Sequence, residues 1–219
     1  MTAAQTKSQR TALPTPKPGT RERILEAGIQ LFAQLGYEGT GIRDIEAAAG
    51  VKRGVVTYHC GNKESVWKQV FEYAFLPYLE QLRSQADLLR ALEPEKRVRY
   101  LIENFVRTSA ARPYMNQLMI QENFTESWRS DWIVENFLQP ARELNKQIAA
   151  GDPILNRLEN DPHFRYVILG ACATVFSHRC EVRALFDQDV SSQEFVDRHV
   201  ETVMQLVDCL LVPEGSRAT

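Results

Sequence analysis

The sequence predicts an all-α protein in which an N-terminal three-helix domain, containing a helix-turn-helix, precedes a larger helical body. Three observations predict it. Residues 40–67 (TGIRDIEAAAGVKRGVVTYHCGNKESVW) place two short amphipathic helices around a glycine-marked turn, the arrangement that lays its second helix in the DNA major groove. Apolar residues on both sides of this stretch recur at helical spacing. Charge is also divided unevenly: residues 1–70 hold ten Lys and Arg against six Asp and Glu, whereas residues 71–219 hold 16 against 22. A basic first third on an acidic remainder fits a nucleic-acid-facing module carried by a body that does not touch DNA.

Residues 1–18 carry three prolines, three basic residues and no acid, and predict a disordered basic tail. In residues 20–35, Thr20 is placed to cap a helix with an apolar stripe of Ile24, Leu25, Gly28, Leu31, Phe32 and Leu35. Gly36 closes it, and Gly28 within the stripe points to close packing by another helix. Thr40 then caps a helix over 41–48 with Ile42, Ile45 and Ala49 inward; Gly50 supplies a left-handed turn and Val51 plugs it. The second helix spans 52–58, with Lys52, Arg53, Gly54 and Thr57 near its exposed start, where a recognition helix meets bases. Asn62 caps a connector helix that Pro77 kinks or breaks, its stripe continuing to about Ser84.

Beyond residue 90 the pattern is helical. Pro94 and Pro113 each suit a first turn, and residues 127–149 form a long helix interrupted by Pro140. A short helical turn covers 153–158. Asp161 caps a helix running to about Leu185, whose YVILGACATVF segment is apolar nearly all round and therefore expected to be buried on most sides. Ser191 and Glu194 form a capping box for a last helix, ended by Pro213 and Gly215. The domain boundaries follow: tail 1–18, helix-turn-helix domain 19–67, regulatory body 68–213.

Composition bounds the functions. No run of 18 apolar residues exists and the N-terminus lacks an apolar signal core, so neither a membrane partner nor secretion is expected and the cytoplasm is the expected location. The four cysteines form no CxxC pair, and the spacing of Cys172, His178 and Cys180 matches no familiar zinc pattern, so no metal or other cofactor is expected. Motifs such as G-x-S-x-G, the P-loop, GxGxxG and H-E-x-x-H do not occur, and the chain does not read as an enzyme. Glu122 and Glu126, one turn apart, read as a solvated face.

Residues 21–67 resemble the DNA-binding domain of TetR/AcrR-type transcriptional regulators. The matching features are I-L-x-A-x-x-x-L-F from Ile24 to Phe32, Gly36–Tyr37, Thr40, I-R-D-I at 42–45, A-A-G-V at 48–51, R-G at 53–54, Tyr58–His59 and K-E at 63–64. Three residues depart from the family pattern: Gly41 stands for a Ser or Thr, Thr57 for a Tyr and Cys60 for a Phe. The resemblance implies that Thr40 and Arg43 meet phosphate, that Lys52, Arg53, Gly54, Val55 and Thr57 face the major-groove floor, and that Tyr58, His59 and Lys63 hold the backbone.

The same resemblance implies a homodimeric repressor of a palindromic operator in double-stranded DNA, released by a small-molecule effector, with a constitutive or architectural DNA-binding protein as the alternative. It implies dimerisation through the last two helices, about 162–185 and 192–212; independently, the last helix is apolar on more of its circumference than one intramolecular face needs. It also implies an apolar ligand cavity in the body, for which the candidates are Phe105, Tyr114, Met115, Met119, Glu122, Trp128, Trp132, Tyr166, Cys172, Phe176 and His178.

Overall fold

The computed structural model describes residues 19–124 and 126–211, and every regular element among them is helical. The expected basic tail and the helix-ending Pro213 and Gly215 lie outside the described residues, as do the side chains of Leu210 and Leu211.

Helix α1 (Thr20–Gly39) is capped by Gly19, not Thr20: Thr20 is already helical, and Glu22 Oε2 accepts from the Gly19 N–H at 2.8 Å. Its apolar face is buried except for Leu31, which is half-buried, and Leu35, which is 54% exposed. Gly28 allows the close approach expected of it, since a Cβ there would lie 2.7 Å from Val70 Cγ2. Gly36 breaks the helical course at φ 69°, a conformation a side chain resists. Two short helices follow, α2 (Ile42–Ala48) and α3 (Val55–Cys60).

The connector α4 (Lys63–Ala91) starts as expected at Asn62, whose Oδ1 accepts from Ser65 N at 2.8 Å. Pro77 does not break it, and the helix extends well past Ser84. Both Pro77 and Tyr73, the residue whose carbonyl loses its partner, lie on the exposed side, so water can satisfy the orphaned group. Helices α5 (Pro94–Ala111) and α6 (Pro113–Glu122) begin at the expected prolines. Helix α7 (Trp128–Ile133) passes through a widened π turn, Val134–Leu138, directly into α8 (Gln139–Ala149). The widened turn comes just before Pro140, whose ring would otherwise press on the preceding helical turn.

Asp152 and Asp161 cap α9 (Pro153–Asn160) and α10 (Pro162–Ser177), each accepting two backbone N–H groups. The helix expected to run to Leu185 stops at His178, and α11 (Arg179–Phe186) is separate. Nor is α10 buried on most sides: Tyr166 is 68% and Val167 56% exposed, because the Phe164–Ile168–Cys172–Phe176 stripe, flanked by Ala171 and Val175, faces the core and the opposite side does not. The cap of α12 (Gln193–Leu211) is Ser192, whose Oγ accepts from Phe195 N at 3.2 Å; the Ser191 hydroxyl donates instead to Asp189 at 2.7 Å.

Two large apolar cores organise these helices. The first joins α1–α4 to Leu118 of α6, Ile133 of α7 and Phe137, so the helix-turn-helix module and the body share one interior. The second packs α5, α10 and α12 around Val106, Phe164, Cys172, Phe176, Val203 and Val207. Between them, a small cluster of Leu82, Leu89, Leu144 and Ile148 ties α4 to α8. Arg97 anchors this region without an acid partner among the described residues. It is 5% exposed, and its guanidinium donates to the carbonyls of Leu89 (2.9 Å), Arg90 (3.1 Å), Leu92 (2.8 Å) and Ala149 (2.6 Å) at the C-terminal ends of α4 and α8. Those carbonyls carry the negative ends of two helix dipoles, which is where a buried cation is stabilised. Replacing Arg97→Met leaves them unpaired, and we expect a loss of about 3 kcal/mol in urea denaturation of the full chain.

Candidate nucleic-acid interface

The α2–turn–α3 unit stands on a dry base. Ile45 and Val56 are fully buried, Ala49 and Cys60 nearly so, and all four pack into the first core with α1 and α4. Cys60 is small for its place; burial raises its thiol pKa above the ordinary value, and the Gln69 amide donates to its carbonyl at 2.9 Å. The turn between the helices is held by a residue that its sequence context does not reveal. Glu46 is 6% exposed, and its Oε1 accepts from the Gly54 N–H at 2.6 Å, while its carbonyl accepts from Val51 N at 3.0 Å. A carboxylate on the free N–H at the start of α3 serves where a capping side chain is missing.

This geometry moves the second helix. It begins at Val55, not Lys52, because Gly54 stands at φ 87°, which no residue inside a helix can adopt. Lys52 and Arg53 therefore project from the turn that precedes α3. The expected contact residues separate by exposure. Arg43, Lys52, Arg53, Gly54, Thr57, Tyr58 and His59 are exposed, Tyr58 at 85%, with the His59 ring edge-on to it at 5.1 Å. Val55 and Lys63 are half-buried. None of Arg43, Lys52 and Arg53 forms an ion pair among the described residues, so their charge is directed to solvent.

Thr40 departs from expectation. Its side chain is fully buried and its hydroxyl donates to Gly36 O at 2.8 Å, so it locks the turn behind α2 instead of facing phosphate. Nor does it cap α2, whose cap is Gly41, with Asp44 Oδ2 accepting from Gly41 N at 2.9 Å. Lys63 lies 4.3 Å from the centroid of the Tyr37 ring and donates to Glu38 O at 3.5 Å.

The ligand candidates do not meet around one cavity. Tyr114, Met115, Met119 and Trp132 pack against the first core, whereas Phe105, Cys172 and Phe176 belong to the second. Burial pushes the Cys172 thiol up to about 12, as expected of a packed thiol. Tyr166 and His178 are exposed; the His178 Nδ1 lies 2.9 Å from Thr174 O, and the ring faces water beyond the end of α10. Trp128 is 40% exposed. Glu122 is neither on a solvated face nor free for a ligand: at 3% exposure it accepts from Trp67 Nε1 at 3.1 Å and Arg129 Nε at 2.6 Å. Two open hollows lie elsewhere among the described residues. One of about 380 Å³ is an open groove between α4 and α8, lined by Arg83, Arg90, Pro140 and Leu144; another of about 250 Å³ borders Phe195 and His199.

Comparison with known proteins agrees with this geometry. Residues 24–70 match the family described as bacterial regulatory proteins, tetR family, and residues 91–216 match the family described as tetracyclin repressor-like, C-terminal domain. The biofilm operon icaADBC negative transcriptional regulator IcaR of Staphylococcus epidermidis is 30% identical over 67 residues, 31% of this chain and 36% of its own length. The transcriptional repressor AcnR of Corynebacterium glutamicum is 42% identical over 48 residues, 22% of this chain and 26% of its own. These alignments span well under two thirds of either relative. In solved structures, a TetR-like transcriptional regulator from Rhodococcus superposes with a TM-score of 0.58 at 18% identity, covering 92% of this chain and all of that one. The regulator FadR of Bacillus subtilis, in complex with stearoyl-CoA, gives 0.57 at 14% identity, covering 83% and 96%. At these identities the likeness is one of fold.

The backbone argument at Gly54 is testable. An added Cβ would meet nothing within 4 Å, so only the positive φ opposes a side chain. Gly54→Ala should cost about 1–2 kcal/mol in chemical denaturation.

Proposed function

The chain belongs to the tetR family of bacterial regulatory proteins, and from that premise we propose that it is a homodimeric repressor that binds a palindromic operator and releases it to a small-molecule effector. The observation that carries the DNA reading is that Arg43, Lys52, Arg53, Thr57, Tyr58 and His59 are all exposed on one helix-turn-helix, with the three basic side chains outside every ion pair among the described residues. Backbone and base contacts divide by position. In this proposal Arg53, at the entrance to α3, reads a guanine edge, and Arg43 and Lys63 contact phosphate. Repression is what the names of IcaR and AcnR state for those proteins, and it is the sense assigned here.

Residues 19–67 form the reading head and 68–213 the regulatory and dimerisation body in this proposal. Dimerisation is assigned to α10 and α12. The exposed Tyr166 and Val167 of α10 and the partly exposed Leu206 of α12 supply apolar surface that a single chain leaves in water. Two-fold pairing matches a palindromic site, with half-sites about one DNA turn apart. No helix of the described residues is long and apolar enough to cross a membrane, and the protein is assigned to the cytoplasm, where its DNA is. The FadR structure holds stearoyl-CoA in its own complex, which supports ligand control as a use of this fold and leaves the chemistry of this chain's effector open. The closed packing of Phe105, Cys172 and Phe176 favours a second reading, a regulator that binds DNA constitutively. Operator affinity that no apolar small molecule weakens would decide for it.

A shift assay against DNA selected from a random pool tests the proposal; absence of specific binding refutes it. Arg53→Ala should lose about 1–3 kcal/mol of discrimination at one base pair. Lys63→Ala should weaken binding to every sequence alike and reduce the salt slope by about one ion.

A further inference from the structure

Besides the shared apolar interior, the body reaches the reading head with a cation. Arg129, at the start of α7, is 12% exposed and is held from below by the buried Glu122 carboxylate at 2.6 Å. From that seat its guanidinium lies 4.5 Å from the centroid of the Tyr37 ring, and its Nη1 donates to Glu38 Oε1 at 3.4 Å. Tyr37 and Glu38 are also the two residues that Lys63 touches, by the same ring at 4.3 Å and by the Glu38 carbonyl at 3.5 Å. The segment that carries Tyr37 and Glu38, within the reading head and ahead of α2, is short and held at both ends. Gly36 fixes its start at φ 69°, and the buried Thr40 hydroxyl ties its end back to Gly36 O at 2.8 Å. The Tyr37 ring is further wedged edge-on against Trp67 at 6.3 Å and Trp128 at 5.8 Å.

We infer that Arg129 is a positioning residue for DNA binding: seated on Glu122, it sets the Tyr37–Glu38 turn and, through it, the placement of the DNA-facing Lys63. The physical argument is one of shared partners. A long lysine side chain loses rotamer entropy when it is aimed at a phosphate, and a contact that already restrains it reduces that cost at binding. The Tyr37 ring supplies the restraint, with a cation over its face. Arg129 supplies the ring's position, and Glu122 supplies Arg129's. The carboxylate is buried, so this last link is weakly screened by salt. The Glu38 link, at 81% exposure of the acid, contributes little energy and serves chiefly as geometry. A movement of α6 against α7 would therefore reach the DNA contact without any movement within α3.

The inference rests on the DNA-binding reading, and a double-mutant cycle on the full-length chain separates the two. Affinity is measured for wild type, Arg129→Gln, Lys63→Ala and the double variant, on the operator that the wild type selects from random DNA. Arg129→Gln should weaken binding about tenfold and flatten the salt slope by about one ion, as Lys63→Ala does. The double variant should bind no more weakly than Arg129→Gln alone, since the lysine is already misplaced. If Arg129→Gln unfolds by stranding the Glu122 carboxylate, Arg129→Gln with Glu122→Gln replaces it in the cycle and should show the same non-additivity. Losses that multiply, or a salt slope that Arg129→Gln leaves unchanged, overturn the inference while leaving DNA binding intact. A wild type that selects no sequence overturns both.

Discussion

The carboxylate of Glu122 is buried where α4, α6 and α7 meet, and it is satisfied by two partners that belong to different parts of the molecule. Trp67 lies in the first turns of the connector, and Arg129 opens the helix that packs across it. A buried charge is tolerated only when paired and hydrogen-bonded. The three elements are therefore held in register by one requirement: each partner must stay within reach of the same acid. Around it, Trp67, Trp128 and Trp132, the only three tryptophans of the chain, pack edge-to-face with centroids 5.3–5.4 Å from that of Trp67. The aromatic packing supplies apolar burial, and the carboxylate supplies the orientation.

The consequence is that the reading head has no core of its own. Ile24, Phe32, Ile45 and Val56 share one interior with Leu118 and Phe137 of the body. A helix-turn-helix built in this way cannot rotate freely on its connector, since such a rotation would open a packed interior. What it can do is shift together with α4, and α4 is held at its far end by Arg97, which grips the last carbonyls of α4 and of α8. The connector is thus clamped near both ends by buried ionic groups of opposite sign, one to α6 and α7, the other to α5 and α8.

Within the reading head the decisive contacts are smaller. Glu46 turns inward and meets the Gly54 N–H, and Gly54 takes a conformation that ends the turn and delays α3. Together they bring Lys52 and Arg53 ahead of the helix and out toward solvent. In the second core, α12 lies against α5 and α10, tied across the surface by Arg107 between Glu103 and Asp197. The opposite side of α10 remains exposed.

The sequence by itself determined the helical course of nearly the whole chain, the prolines and aspartates that start α5, α6, α9 and α10, and the glycine geometry at Gly28, Gly36 and Gly50. Those features depend on backbone dihedrals and on caps within a few residues, which are local and therefore written in local sequence. It also determined the exposed basic character of Arg43, Lys52 and Arg53. Only the tertiary structure decided which polar residues turn inward. Thr40 read as a cap and a phosphate contact and is buried; Glu122 read as solvated or ligand-facing and is the shared acid of the junction. Arg97, Glu46 and Arg129 carried no local signal, because their partners lie 5 to 91 residues away along the chain. The continuation of α4 through Pro77 and the end of α10 at His178 went the same way. Whether a proline breaks a helix depends on what covers the freed carbonyl, and whether an apolar run is buried depends on what packs against it. Neither is a property of the run itself.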